Sequence, residues 1–282
     1  MKRINILLTQ SLVQDDLNLK DKNVIILDVL RATTTMTIAL SNGAKEVIPT
    51  ENIATAVRVA KGSKNSMLCG ERNGKLIDGF NLGNSPTEYT PDVVKEKSLI
   101  FSTTNGTLAI IKSKFSKNCI LCSFVNISAV VAYVNAIDED FTIICSGKLN
   151  DFCLEDAVCA GMLLTKLSAG RDLEMKDSEI AAVNLCNDLA MLMNVPSQDK
   201  ILKLLHLSEH GKYLSSIGFE QDLEISSKID SYPNVPIFKS GVIKFKEQFD
   251  GESNQKMKMK RVNIGSKRED ETLKQKEKIS ET

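Results

Sequence analysis

Short apolar runs alternate with stretches of helical periodicity from the start of the chain to about residue 170. Residues 4–8, 24–28, 46–48, 67–69, 99–101, 120–122 and 142–145 read as strands, and 34–40, 53–61, 106–112, 127–136 and 154–167 as helices. Strands separated by helices predict right-handed βαβ units, because a helical crossover lets successive strands run parallel. The expected fold class is therefore α/β, with mostly parallel sheet flanked by helices. From Asp177 to about Ile229 the period is helical throughout, which predicts a helical C-terminal region. Asp177-Ser178 caps its first helix, Pro196-Ser197 separates that helix from the next, and Gly211 and Gly218 punctuate the later ones. Two last strands are expected at 235–238 and 242–245, turning at Ser240-Gly241.

This pattern predicts one folded region over 1–246, or two intimate subdomains within it dividing near 75–95 or near 170. Residues 247–282 are charged, near-neutral in sum and carry Phe249 as their one aromatic. Such a segment cannot bury enough apolar surface to order itself, so a disordered tail is expected. Gly79, Asn81, Gly83, Asn84, Pro86 and Pro91 crowd the stretch 74–91, which reads either as a functional loop or as a surface excursion.

Composition narrows the function classes. Hydrophobic residues are 42% of the 282 and charged residues 26%, ordinary for a globular protein with a sizeable core. Lys plus Arg equals Asp plus Glu at 36 each, so no broad positive field invites nucleic acid. Seven cysteines without regular spacing point to a reduced, cytoplasmic chain. Cys119 and Cys122 form a CxxC, but within a strand they point to opposite faces and read as core residues. The apolar run after Met1 is too short for a signal peptide, and none approaches the ~20 residues of a membrane span.

The candidate chemistry sits where strands end. Asp28 and Arg31 lead into Thr33, Thr34 and Thr35; Ser102 leads into Thr103, Thr104, Asn105 and Gly106; Cys145 leads into Ser146, Gly147 and Lys148. In an α/β sheet these loops gather at the carboxyl ends of the strands, where ligands bind. Hydroxyls, an amide and permissive glycines suit an oxyanion, so Thr33, Thr34, Thr104, Asn105, Gly106, Ser146 and Gly147 are candidate substrate contacts. Arg31 suits bidentate binding of phosphate or sulfonate. Asp28 could ligate Mg²⁺ or attack phosphorus; equally, it could pair with Arg31 or cap the next helix. Glu155 and Asp156, in the first turn of a predicted helix, could join Asp28 and Glu71 around a hard cation, or simply answer the helix dipole.

Several motifs are excluded. The stretch from Gly70 to Leu76 is one residue short of a P-loop and has Leu where Ser or Thr must meet Mg²⁺. Leu30 stands where a dehalogenase-type phosphatase needs a second Asp. His206 and His210 fall four apart on a predicted helix but lack the Glu of HExxH, so surface or capping roles are expected for them.

Taken in order, Asp28-Val29-Leu30-Arg31-Ala32-Thr33-Thr34, Gly70-Glu71-Arg72, Gly79-Phe80, Leu82-Gly83-Asn84-Ser85-Pro86, Ser102-Thr103-Thr104-Asn105-Gly106-Thr107 and Glu155-Asp156 resemble the 2-phosphosulfolactate phosphatase (ComB-like) family. Gly218-Phe219-Glu220-Gln221-Asp222-Leu223 and Val235-Pro236 also fit its pattern. The resemblance runs from the N-terminus to about Phe245. It implies an α/β fold and Mg²⁺-dependent hydrolysis of 2-phosphosulfolactate to sulfolactate, a coenzyme M precursor step. The combined expectation is a cytoplasmic phosphomonoesterase with Asp28, Arg31 and Glu71 catalytic, and Asp28, Glu71, Glu155 and Asp156 as candidate Mg²⁺ ligands. Its partner would be a small phosphorylated anion, with neither nucleic acid nor membrane, and room for a homo-oligomer. Open alternatives are another 2-phospho-acid as substrate, attack by Asp28 or by water, and a non-catalytic anion-binding or regulatory protein on this scaffold.

Overall fold

Two sets of parallel strands, joined by an antiparallel hairpin, make up the sheet in the computed structural model, which describes residues 3–169, 173–192 and 199–249. The first set holds β1 (Ile4–Leu7), β8 (Phe141–Cys145), β2 (Asn23–Leu27) and β7 (Asn118–Cys122), in that spatial order. The second holds β3 (Glu46–Pro49), β6 (Ser98–Ser102) and β4 (Ser66–Arg72), with β5 (Lys75–Leu76) antiparallel at its edge. Between them lie β9 (Pro236–Lys239), antiparallel to β7, and β10 (Val242–Phe245), antiparallel to β3. Ser240 and Gly241 join these two strands with positive φ at both positions, 53° and 83°, as a tight two-residue hairpin requires. β2 and β6 are buried along their whole length, which is why they read as unbroken apolar runs.

The helices are α1 (Ala32–Ser41), α2 (Ile53–Lys61), α3 (Pro91–Val94), α4 (Gly106–Lys112), α5 (Ile127–Ile137), α6 (Leu154–Leu167), α7 (Asp177–Leu192), α8 (Lys200–Leu207), α9 (Glu209–Ser216) and α10 (Glu220–Ser226). The fold is α/β with helices toward the C-terminus. The largest apolar cluster sets Ile25, Leu27, Ile120 and Ile143 of the strands against Val130 and Val134 of α5 and Leu163 and Leu164 of α6. Each such side chain, once buried, contributes roughly 1.5–3 kcal/mol. Cys119 and Cys122 are packed inside β7.

Two helices cross the seam between the parallel sets. α1 carries the chain from β2 to β3, and α4 carries it back from β6 to β7. Every residue of α1 from Ala32 to Leu40 is buried, as befits a helix covered on all sides. Its N-terminus meets that of α4 so closely that a Cβ on Gly106 would collide with the Ala32 Cβ and lie 2.6 Å from Asp28 Oδ2. The crossing thus brings loops from opposite halves of the sheet together.

The chain divides into two units, Met1–Lys244 and Phe245–Thr282. Residues 75–95 lie inside the first. In the second, the Phe245 N–H donates to Gln248 Oε1 at 2.9 Å. The tail expected from residue 247 lies, beyond Phe249, outside the described residues.

Candidate active site

A cavity of about 250 Å³ opens where the crossing helices begin. Asp28, Arg31, Glu71, Gly74, Asn84, Thr103, Thr104, Asn105, Gly106, Lys148, His210 and Tyr213 are among its wall. Strand ends deliver most of them: Asp28 follows β2, Glu71 ends β4, Thr103–Gly106 follows β6 and Lys148 follows β8.

Asp28 is 6% exposed; its Oδ1 accepts the Ala32 N–H at 2.8 Å, and its Oδ2 accepts nothing from the described residues. Burial raises its pKa from 3.8 to about 6; the Ala32 N–H and nearby His210 oppose the rise, while Glu71 and Glu155 add to it. Glu71 accepts the Gly74 N–H through Oε2 and the Thr104 N–H through Oε1, both at 2.8 Å. One carboxylate thereby fixes two loops of the wall. Asp28 and Glu71 offer hard oxygen donors in one cavity, and Asp28 Oδ2 takes no hydrogen bond from the described residues. That set fits Mg²⁺, which is commonly held by one or two carboxylates, several waters and substrate phosphate.

Arg31 is nearly buried. It donates through Nη1 to Asp222 Oδ2 at 2.7 Å and through Nη2 to the Gly74 carbonyl at 2.6 Å, and its guanidinium lies 4.5 Å from the centre of the Phe219 ring. Two of its five N–H groups are so used. Ser85 donates to the other Asp222 oxygen at 2.5 Å. Burial raises the Asp222 pKa, and the hydrogen bonds from Ser85 and Arg31 oppose the rise. Lys148 is the less encumbered cation: its Nζ lies 4.9 Å over the Tyr213 ring and 3.9 Å from the exposed Glu209. Thr104 Oγ1 and Asn84 Oδ1 are buried without hydrogen-bond partners among the described residues. Orphaned polar atoms in a wall are where a polar ligand is expected.

Not every residue anticipated from the sequence reaches this cavity. The Thr33 hydroxyl donates to the carbonyls of Asp28 and Cys122, and that of Thr34 to Val29. Inside a covered helix a hydroxyl must be satisfied by protein, and these two serve the scaffold. Gly147 also stands behind the wall, with φ 66° and the Asp151 carbonyl oxygen occupying the place a Cβ would need. Ser146 is buried, its N–H donating to the Leu27 carbonyl at 2.7 Å. Asp156 accepts the N–H groups of Val29 and Gly147 at 2.9 and 3.2 Å, clamping two strand exits. Burial, with Asp28 and Glu155 adding to it, pushes its pKa well above the carboxylate range. Glu155 faces a neighbouring cavity and meets His210 Nδ1 at 3.3 Å. The four acids therefore do not converge as one ligand set.

One histidine departs from expectation, as does the single helix expected to carry both. Ser208 accepts the Gly211 N–H and starts a new helix, so His206 closes α8 while His210 opens α9. His206 pairs with Glu220 on the surface, whereas His210 turns inward to the wall. Asn84, Asp222 and Phe219 lie within segments that carry the family resemblance, yet nothing local in the sequence assigns them a role. Tyr213, whose hydroxyl donates to the Asn73 carbonyl at 2.8 Å, gives no sequence signal.

Parallel strand ends, two carboxylates and two cations around one cavity define an α/β protein that handles a small anion. The 2-phosphosulpholactate phosphatase family profile matches residues 7–241. A probable 2-phosphosulfolactate phosphatase of Caldanaerobacter subterraneus is 35% identical over 237 residues, spanning 83% of this chain and 95% of its own. One from Clostridium novyi is 35% identical over 238 residues (84% and 97%), and one from Thermotoga maritima 38% over 226 (80% and 93%). The chain belongs to the 2-phosphosulfolactate phosphatase family, and with it to the phosphoric monoester hydrolases.

Proposed function

We propose that this protein is a cytoplasmic, Mg²⁺-dependent enzyme that hydrolyses 2-phosphosulfolactate to 3-sulfolactate and inorganic phosphate, a step of the coenzyme M type. The observation that carries the reading is a single cavity whose wall sets Asp28 and Glu71 beside Arg31 and Lys148. Such a substrate bears phosphate, carboxylate and sulfonate, which together need more than one centre of positive charge. Asp28 and Glu71 would hold Mg²⁺, which when bound supplies charge to phosphoryl oxygens and lowers the pKa of water.

The chain's own groups do the positioning. Asp222 and Gly74 hold the Arg31 guanidinium, whose remaining N–H groups suit a planar oxyanion. Lys148 offers a compact charge suited to a sulfonate, and Thr104 Oγ1 a further donor. Glu71 keeps the loop bearing Gly74 and the loop bearing Thr104 in register, so the wall is formed before substrate arrives.

The test is phosphate release by the purified full chain from 2-phosphosulfolactate and from a 2-phospho-acid lacking the sulfonate. Release should require Mg²⁺ and be faster with the sulfonate present. Full turnover in excess chelator would remove Mg²⁺ from the reading, and preference for the sulfonate-free ester would remove the substrate.

A further inference from the structure

A second cavity, of about 310 Å³, adjoins the first. Cys153, Glu155 and His210 all stand in its wall, and His210 is shared between the two. The Cys153 thiol, a Glu155 oxygen and a His210 nitrogen lie within 4.8 Å of one another. Among the described residues, no other three Cys, His, Asp or Glu side chains bring ligand atoms so close. Cys153 is 6% exposed and Glu155 1%. Glu155 Oε1 meets His210 Nδ1, while Oε2 is buried and has no hydrogen-bond partner among the described residues. A buried carboxylate oxygen without a donor is destabilising, and a cation is one group that would satisfy it.

We propose that Cys153, Glu155 and His210 form a binding site for a thiophilic divalent cation of the Zn²⁺ class. Sulfur, nitrogen and oxygen donors in one cluster favour a borderline metal over Mg²⁺, which takes oxygen throughout. Tetrahedral Zn²⁺, with bonds of about 2.0–2.1 Å to nitrogen and oxygen, holds those two atoms about 3.3 Å apart. Nδ1 and Oε1 already stand at 3.3 Å. Cys153 directly precedes α6, and its side chain makes no capping hydrogen bond that a metal would have to displace. Water would take the fourth position. On loading, the Cys153 thiol gives its proton to solvent and the proton between His210 Nδ1 and Glu155 Oε1 leaves Nδ1, so that the thiolate, the imidazole as its Nε2–H tautomer and the carboxylate can hold the metal. Glu155 and Asp28 supply a negative field that favours the cation.

The site is tested on the full chain with Mg²⁺ in excess, using Co²⁺ as the spectroscopic probe. One equivalent of Co²⁺ should give an intense near-ultraviolet thiolate-to-metal band and the strong visible bands of a four-coordinate ion, and Zn²⁺ should erase both. Cys153→Ser, close to isosteric, should lose the near-ultraviolet band and bind Zn²⁺ weaker by about tenfold or more in chelator competition. A wild-type spectrum without the thiolate band refutes the site, whatever the folding of the variant. A band that survives Cys153→Ser also refutes it, by placing the metal on another cysteine. Both readouts are independent of turnover, so the site stands or falls separately from the proposed reaction.

Discussion

Replacing Asp28 by Asn keeps the shape of the side chain, and with it the acceptor for the Ala32 N–H, while removing the charge. The folded-state pKa of Asp28, about 6, lies above its ordinary 3.8. The folded protein therefore holds a proton that the unfolded chain releases, and its stability falls as pH rises through this window. A tenfold change in proton affinity corresponds to about 1.4 kcal/mol, so the full cost above pH 6 is about 3 kcal/mol. Near pH 4, close to the unfolded value, the folded state is protonated and the unfolded state is about half so, and only about 0.5 kcal/mol of the cost remains. Asn never carries it. In chelator, urea unfolding should find Asp28→Asn more stable than wild type by about 3 kcal/mol near pH 8 and by only about 0.5 kcal/mol near pH 4. The same variant should lose turnover, since the destabilising charge is the one assigned to hold Mg²⁺. Adding Mg²⁺ should close most of the gap near pH 8: at a hundredfold excess over Kd it stabilises wild type by about 2.7 kcal/mol, and the variant should gain little. Equal stability near pH 8, or an unchanged gain near pH 4, would refute the electrostatic account of Asp28.

Arg31→Lys keeps a charge for Asp222 but loses the planar fork, and turnover should fall by about 10–100-fold, or roughly 1.4–2.7 kcal/mol in the barrier. Arg31→Met strands the buried Asp222 and should cost about 3–5 kcal/mol in denaturant unfolding. Adding Asp222→Asn should recover part of that loss, and no recovery would show that the pair is not the cause. Gly106→Ala forces a methyl against Ala32 and Asp28, so it should cost about 1–3 kcal/mol and lower turnover. Wild-type behaviour would mean that the starts of α1 and α4 separate freely.

Local pattern carried much of the fold. The strands at 24–28 and 99–101 were legible because burial on both faces leaves an uninterrupted apolar run, and α2, α4 and α6 were legible to the residue from their period. The loops after those strands held Asp28, Arg31, Thr104, Asn105 and Gly106, which the structure brings to one cavity with Glu71. The hidden parts depend on neighbours distant in the chain. Thr33 and Thr34 are hydroxyls of the same kind as Thr104, and only the covering of α1 on every side turns them inward. His206 and His210 differ in fate because Ser208 starts a new helix between them.

Side-chain period and turn chemistry are properties of neighbouring residues, so the alternation of strand and helix, the family, and the loops rich in oxyanion donors were all readable along the chain. Packing between distant faces, in contrast, set the hairpin of β9 and β10 between two parallel sets and crossed α1 and α4 so that Gly106 presses against Asp28. It alone sent Asp156 to clamp two strand exits and Glu155 to meet His210 and Cys153. Strand order and helix crossing arise from packing whole faces together. No short window of sequence specifies which distant face a given face will meet.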